Sequence, residues 1–376
     1  AMLADLLWSE RFWFPDNVTW NDLFADTDFE SPSNGPRFAP RPRHLCAAVA
    51  FGAVIHLARR FIEHSALEPL GRRLGVAGMS ASATPAPPAN ATLEALYRSA
   101  KRRPDSSAML AAASQLDWPV RRVERWFRQR RNSEKSSTLR KFVESAWFIV
   151  YYCVALTCGA AVLLQQPYFW NTRLCWLGWP YLHVTWPVRC YYIGQLGFYL
   201  ASLYSIFHDV KRKDFFEMLV HHLVTVWLVA FSWCVNFVRI GALVLLLHDM
   251  VDPPLHLAKC LGYANKRPAC DCVFFVFYIG WFVTRLLLFP IWLIRSASME
   301  SWAELGPFGA YWAFNGCLCV LLVLHVVWFY FISRIAWQAV THGQLQRDTR
   351  SESEMSADEG CGAQGDHSGK NEKKDR

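Results

Sequence analysis

Residues 218–261 read MLVHHLVTVWLVAFSWCVNFVRIGALVLLLHDMVDPPLHLAKCL, and the fold turns on them. Two apolar runs, 218–238 and 240–261, each approach the roughly 20 residues a helix needs to cross a hydrocarbon core about 30 Å thick. They nearly touch at Asn236 to Arg239, so the spacing predicts a tight hairpin of two membrane helices. The same runs carry Glu217, His221 and His222 at the start of one and His248, Asp249, Asp252, His256 and Lys259 along the other. Ionisable side chains at membrane depth are costly, and each is a functional candidate by default.

Five further apolar stretches lie outside this hairpin, at 45–62, 142–164, 187–207, 273–294 and 311–337. The composition agrees: 53% of the chain is hydrophobic and only 19% charged, against roughly 25% charged in soluble domains. A disordered chain, a collagen and a small disulfide-stapled module are excluded. The twelve cysteines are scattered and form no Cys-x-x-Cys, so neither a zinc site nor a disulfide framework is expected. The fold class predicted is an all-α polytopic membrane protein of about seven transmembrane helices.

Cations follow the first span (Arg59, Arg60, Arg72, Arg73), precede the second (Arg140, Lys141), and follow the third (Lys211, Arg212, Lys213), fifth (Lys259, Lys266, Arg267) and seventh (Arg334). In a seven-span chain all these places lie on one side, which the positive-inside rule makes cytosolic. Segment 1–44 is then lumenal and the C-terminus cytosolic. Asn17-Val18-Thr19 is a lumenal glycosylation sequon, whereas Asn90-Ala91-Thr92 falls on the cytosolic side and is expected to stay bare. No secretory leader is legible ahead of residue 45, so the first span, 45–63, is expected to target the chain to the endoplasmic reticulum.

Between the first two spans, residues 71–91 are rich in Gly, Ala, Ser and Pro and read as a linker. Residues 92–132 then carry three short helical patterns, ending in Val123-Glu124-Arg125-Trp126-Phe127-Arg128-Gln129-Arg130-Arg131. This order resembles a truncated homeodomain, with Trp126 and Phe127 as core and the arginines on the outer face. The basic arm is missing and Gln129 stands where that family contacts adenine with Asn, so DNA binding is not expected. An arginine face turned to water or anionic lipid is the reading preferred. The polar tail 346–376 is expected to be disordered and to carry phosphorylation sites at Ser351, Ser353 and Ser356; Ser351 and Ser356 each have an acidic residue three positions on.

Spacing sharpens the chemistry of the hairpin. His248 and Asp252 are four apart and Asp249 and Asp252 three apart, so a continuous helix places them on one face. His221 and His222 diverge by about 100°, which predicts that only one points directly into a shared cavity. A buried imidazole oriented by a carboxylate is fit to act as a base or nucleophile. No His-x-x-x-His or Glu-x-x-x-His run with the ligand chemistry of a known hydrolase is present, and no metal is expected. His183 and His325 stand alone and read as structural.

His221-His222 followed by Leu246-Leu247-His248-Asp249-Met250-Val251-Asp252 and Leu255 to Lys259 resembles the Lag1 motif of the ceramide synthases. Phe12-Trp13-Phe14-Pro15, Asn17-Val18-Thr19-Trp20, the homeodomain-like stretch, Arg285 to Pro290 and Gly306-Pro307-Phe308 extend the resemblance to the vertebrate, homeodomain-containing type. The resemblance implies a TLC-type bundle over 140–338 that transfers a fatty acyl group from acyl-CoA to the amine of a sphingoid base, with membrane lipid around it and no cofactor. It implies His221, His222, Asp249 and Asp252 as the essential set, to which the spacing adds His248; Lys211, Arg212 and Lys213 are candidates for the CoA phosphates. In that family the lumenal loop before the last span, here 295–310, is associated with acyl length. Pro253-Pro254 and His256 depart from its usual pattern. The sequence leaves open homo- or hetero-dimerisation, and whether transfer is direct or passes through an acyl-imidazole. A non-catalytic lipid-binding or trafficking protein of the same fold is the alternative, and a membrane-tethered regulator acting through 126–131 a third.

Overall fold

The computed structural model describes residues 8–16, 18–24, 39–76, 88–99, 104–134, 138–209 and 214–342. Asn17, Lys211, Arg212, Lys213, Ser351, Ser353 and Ser356 lie outside them. The longer helices are α1 (Leu45–Ile62), α2 (Ala91–Ser99), α3 (Ser106–Gln115), α4 (Val120–Glu134), α5 (Thr138–Leu163) and α6 (Trp186–Ser205). After them come α7 (Phe215–Cys234), α8 (Val238–Asp249), α9 (Asp252–Tyr263), α10 (Arg267–Trp281), the short α11 (Ser301–Leu305) and α12 (Gly309–His342).

Among the described residues, six helical stretches are long and apolar enough to cross a bilayer: Pro42–Arg73, Thr138–Leu163, Phe215–Cys234, Val238–Tyr263, Arg267–Leu305 and Gly309–Thr341. The third of the seven expected spans is present as the 20-residue α6. Arg189, Gln195 and four tyrosines keep it out of the apolar set. The reason is position, because α6 packs against α1, α5, α7 and α8. Much of it is buried, so its polar groups are met by protein rather than by lipid.

The α1/α6 crossing is close because two glycines meet there. A Cβ on Gly52 would stand 2.8 Å from the Gly197 carbonyl oxygen, and one on Gly197 would stand 2.9 Å from that of Ala48. Where lipid replaces water, small residues that let backbones approach supply much of the helix association. Near the end of the crossing the Arg59 guanidinium makes two hydrogen bonds to the Asp209 carboxylate, at 2.9 and 3.1 Å, and a third to Glu63 at 2.7 Å.

Several boundaries differ from the expectation. The first span runs through a wide turn at Glu63–Leu67 and on to Arg73, and Gly71 packs beneath Leu139 and Phe142, so the predicted linker begins later than residue 71. The expected loop 295–310 is helical as far as Leu305, and only a short turn at Gly306, with φ +71°, precedes α12. The hairpin between α7 and α8 turns at Asn236, whose φ of 59° is a conformation that Asn tolerates.

The two ends of the bundle differ in kind. At one gather Arg59, Arg140 and the starts of α5, α7 and α10. The other is closed by the segment 164–185 and by the N-terminal turns. There the Trp179 indole donates to the Val235 carbonyl (2.8 Å), the Arg239 guanidinium to that of Leu174 (2.7 Å) and the Trp176 indole to the Ser296 hydroxyl (3.0 Å). Trp13 stacks on Phe231 with ring centroids 4.9 Å apart. The module α2–α4 has its own core, in which the expected Trp126 and Phe127 are joined by Leu93, Tyr97 and Val123. Asp105 caps α3, and the hydrogen bonds it accepts from the Ala108 amide and then the Ser107 hydroxyl hold its carboxyl below the usual carboxylate range.

The glycine crossing gives a direct test. Gly197→Ala should destabilise the bundle by about 1–3 kcal/mol through overpacking, read as a lower unfolding temperature in detergent. Gly194→Ala, whose Cβ would meet nothing within 4 Å, should leave it unchanged.

Candidate active site

A cleft opens at the arginine-bearing end between α5, α6, α7, α9, α10 and α12, with about 1380 Å³ of empty space counting its mouth. Glu144, Tyr152, His221, His222, His248, Asp252, Lys259, Arg285 and His325 are among its walls. Beyond it lies a second space of about 770 Å³, lined by Leu228, Val229, Phe237, Leu245, Phe308, Tyr311 and Phe314 and nearly devoid of polar surface. Tyr199, His221 and His248 belong to the walls of both. A shallower cleft of about 1060 Å³, with Arg59, Arg60 and Arg140 on its rim, shares Glu144 and Asp209 with the mouth.

The five residues expected to be catalytic separate into distinct places. His221 stands at the join of the two spaces, its ring centroid 5.7 Å from that of His222 and 5.5 Å from that of Trp328. His222 also reaches the cleft, contrary to the expectation that only one would, because the cleft is broad enough to wrap two neighbouring positions of α7. The Nδ1 atom of His248 lies 2.7 Å from the Val244 carbonyl oxygen. A carbonyl can only accept, so Nδ1 carries the proton and Nε2 presents its lone pair. That Nε2 is buried and has no partner.

The two aspartates do not share a face. The helical hydrogen bonding lapses into a turn at Met250 and Val251, and α9 begins at Asp252 with Pro253 and Pro254 in its first turn. Proline at that position loses no helical hydrogen bond, since the first amides of a helix have none to make. Asp252 therefore turns into the cleft, 3.8 Å from Arg285. Asp249 turns the other way, towards α5 and α6. Its carboxylate accepts from the Gln195 amide, with the Tyr191 hydroxyl at 3.5 Å, and Gln195 in turn accepts from the Tyr151 hydroxyl at 2.6 Å. Neither aspartate is hydrogen-bonded to His221 or His222, so the expected carboxylate-oriented imidazole is absent; for His248 the Val244 carbonyl sets the tautomer instead.

Among the wall residues missing from the predicted set are His325, Tyr199 and Arg285. His325, read as structural because it stands alone in sequence, has its ring centroid 5.0 Å from that of His248. Only tertiary packing brings them together. Tyr199 is one of many tyrosines and carries no local signal. Arg285 did carry one: a cation inside the apolar run 273–294 meets the same test of cost that singles out His221. Among the described residues no cluster of three or more His, Cys, Asp or Glu is arranged to hold a metal ion.

The bundle, with a polar cleft and an apolar pocket sharing a wall, is that of a polytopic helical membrane protein, and the TLC domain model matches residues 141–334. The chain is 39% identical over 360 residues to human ceramide synthase 5, covering 96% of this chain and 89% of that one. It is 38% identical over 353 residues to mouse ceramide synthase 4 (94% and 87% covered). Over 347 residues it is 34% identical to human ceramide synthase 3 (92% and 87%). The chain belongs to the ceramide synthase family.

The Asp249 network should behave as structure. Gln195→Leu strands the Asp249 carboxylate and the Tyr151 hydroxyl in the core, each orphaned group costing about 1–3 kcal/mol. The unfolding temperature should fall clearly, and Tyr151→Phe, which removes one hydroxyl, should lower it less.

Proposed function

We infer that this chain is a sphingoid-base N-acyltransferase that joins a fatty acyl group from acyl-CoA to the amine of a long-chain base, giving ceramide or dihydroceramide and free CoA. The observation that carries the reading is the join itself: two imidazoles and a phenol form the common wall of an apolar pocket and a polar cleft. A fatty acyl thioester has the same two parts. Its chain suits the inner pocket, and its CoA moiety suits the cleft and the arginine-bearing end.

By its cations that end is proposed to face the cytosol, with the N-terminus in the lumen, the C-terminus in the cytosol and the endoplasmic reticulum as the membrane. Arg60, Lys211, Arg212 and Lys213 are proposed to attract the CoA phosphates. Asn17 is proposed as glycosylated and Ser351, Ser353 and Ser356 as phosphorylated. No cofactor is required, because acyl-CoA already carries an activated acyl group.

The chemistry needs a nucleophile, a proton acceptor and support for charge on oxygen. In direct transfer the amine nitrogen bonds to the thioester carbon, its proton passes to an imidazole, and the carbon–sulfur bond breaks as CoA thiolate takes up a proton. In the two-step route the imidazole nitrogen bonds the acyl carbon as the carbon–sulfur bond breaks and CoA leaves as thiolate, and the amine then displaces the imidazole, which takes up the amine proton. His221, at the join, serves in either route, and the free Nε2 of His248 faces the same space. Holding both substrates in register contributes about 7–11 kcal/mol of the barrier reduction.

Purified protein in detergent, given sphinganine and acyl-CoA, should form dihydroceramide and free thiol in equal amounts. His221→Ala should lower turnover by about 10²-fold or more without changing the unfolding temperature. Wild-type protein that binds both lipids and yields no product would leave a lipid carrier in place of an enzyme. For the topology, Asn17→Gln should abolish the glycosidase-sensitive gel shift and Asn90→Gln should not.

A further inference from the structure

We propose that Arg285 is a catalytic residue whose free guanidinium N–H groups hold the thioester carbonyl oxygen and the oxyanion it becomes. The proposal rests on the acyltransferase reading above and names a group of that site which neither the sequence motif nor its spacing singles out.

Arg285 is only 4% exposed, yet its ionic partner is distant: Asp252 is 3.8 Å away. Its Nη2 donates to the His248 carbonyl oxygen, which ties the guanidinium to the end of α8. Its Nε and Nη1 are buried and have no partner. The Trp281 ring lies 5.3 Å from its central carbon and holds one side of it. A guanidinium cannot discard its charge as a lysine or histidine can, so unmet donors on it stay costly until an oxygen arrives. The segment that carries it, Phe282–Ile294, is wound in wide π turns, a local departure that recurs at functional sites.

The geometry fits one oxygen of the reaction. Arg285 lines the cleft beside His248, where the acyl chain must end and the CoA portion begin. When the nucleophile's lone pair bonds to the thioester carbon, the carbonyl π pair moves onto oxygen, and Nε–H and Nη1–H donate to it. The pair then returns, the carbon–sulfur bond breaks, and the electrons leave on sulfur as CoA thiolate. Arg285 gives up no proton at any stage. A fixed cation in a site shielded from water favours the charged intermediate over the neutral ester, so its effect belongs in kcat rather than in KM.

Arg285→Gln and Arg285→Lys, purified beside the wild type and His221→Ala, test this. Arg285→Gln should lower kcat by about 10²–10³-fold with the acyl-CoA KM changed less than about threefold, and ethylguanidinium should restore at least tenfold of the loss in Arg285→Ala, where ethylammonium does not. Should Arg285→Gln not fold, Arg285→Lys keeps the cation but not the fork, and its kcat must still fall at least tenfold. A near-normal kcat in a folded variant, a rise in KM alone, or a loss that only follows unfolding temperature without rescue overturns the assignment. Activity in the wild type that His221→Ala removes and Arg285→Gln spares overturns this proposal alone, whereas an inactive wild type overturns the reading beneath it.

Discussion

A bilayer offers a buried polar group no partner, and that constraint organises this protein. Histidines, aspartates and an arginine at membrane depth must be met by other parts of the chain or left waiting for a ligand. Both outcomes are present. One carboxylate oxygen of Asp249 is met by Gln195 and Tyr191, and Arg59 is held by Asp209 and Glu63. The Nε2 of His248 and two nitrogens of Arg285 are met by nothing in the chain. The first set holds helices together, and the second belongs to the wall of the cleft proposed to take the substrate.

The central position of α6 follows from the same rule. Its tyrosines and Gln195 would be ill placed against lipid, so α1, α5, α7 and α8 surround it, and Gly52 and Gly197 let α1 approach closely enough to do so. On its enclosed face Tyr199 joins the wall of both cavities. The opposite end is sealed in part by Trp176 and Trp179, whose buried indole N–H groups donate to the Ser296 hydroxyl and the Val235 carbonyl. An apolar pocket that shares a wall with a cleft at the cation-bearing end suits the two parts of a lipid thioester.

Much of this was legible beforehand. Apolar runs of membrane length located every long helix, Asn236 located the hairpin, and Trp126 and Phe127 located the core of the small module. The family resemblance, carried by His221, His222 and the stretch from Leu246 to Lys259, agrees with the relatives found. Periodicity failed at Asp249, because the three-residue spacing to Asp252 assumes a continuous helix and the helical hydrogen bonding lapses between them. It failed again at His325, whose neighbours come from α8 and lie far away in sequence.

The sequence by itself determined that the chain crosses a membrane in helices, that its cations cluster beside particular spans and which two helices bring imidazoles together, since length, hydropathy and charge are local properties. Only the tertiary structure decided that Asp249 supports the bundle while Asp252 faces the cleft, and that His325, Tyr199 and Arg285 join His221 and His248. Those are matters of how helices rotate and cross. Rotation is set by packing against partners distant in the chain, which no local pattern encodes.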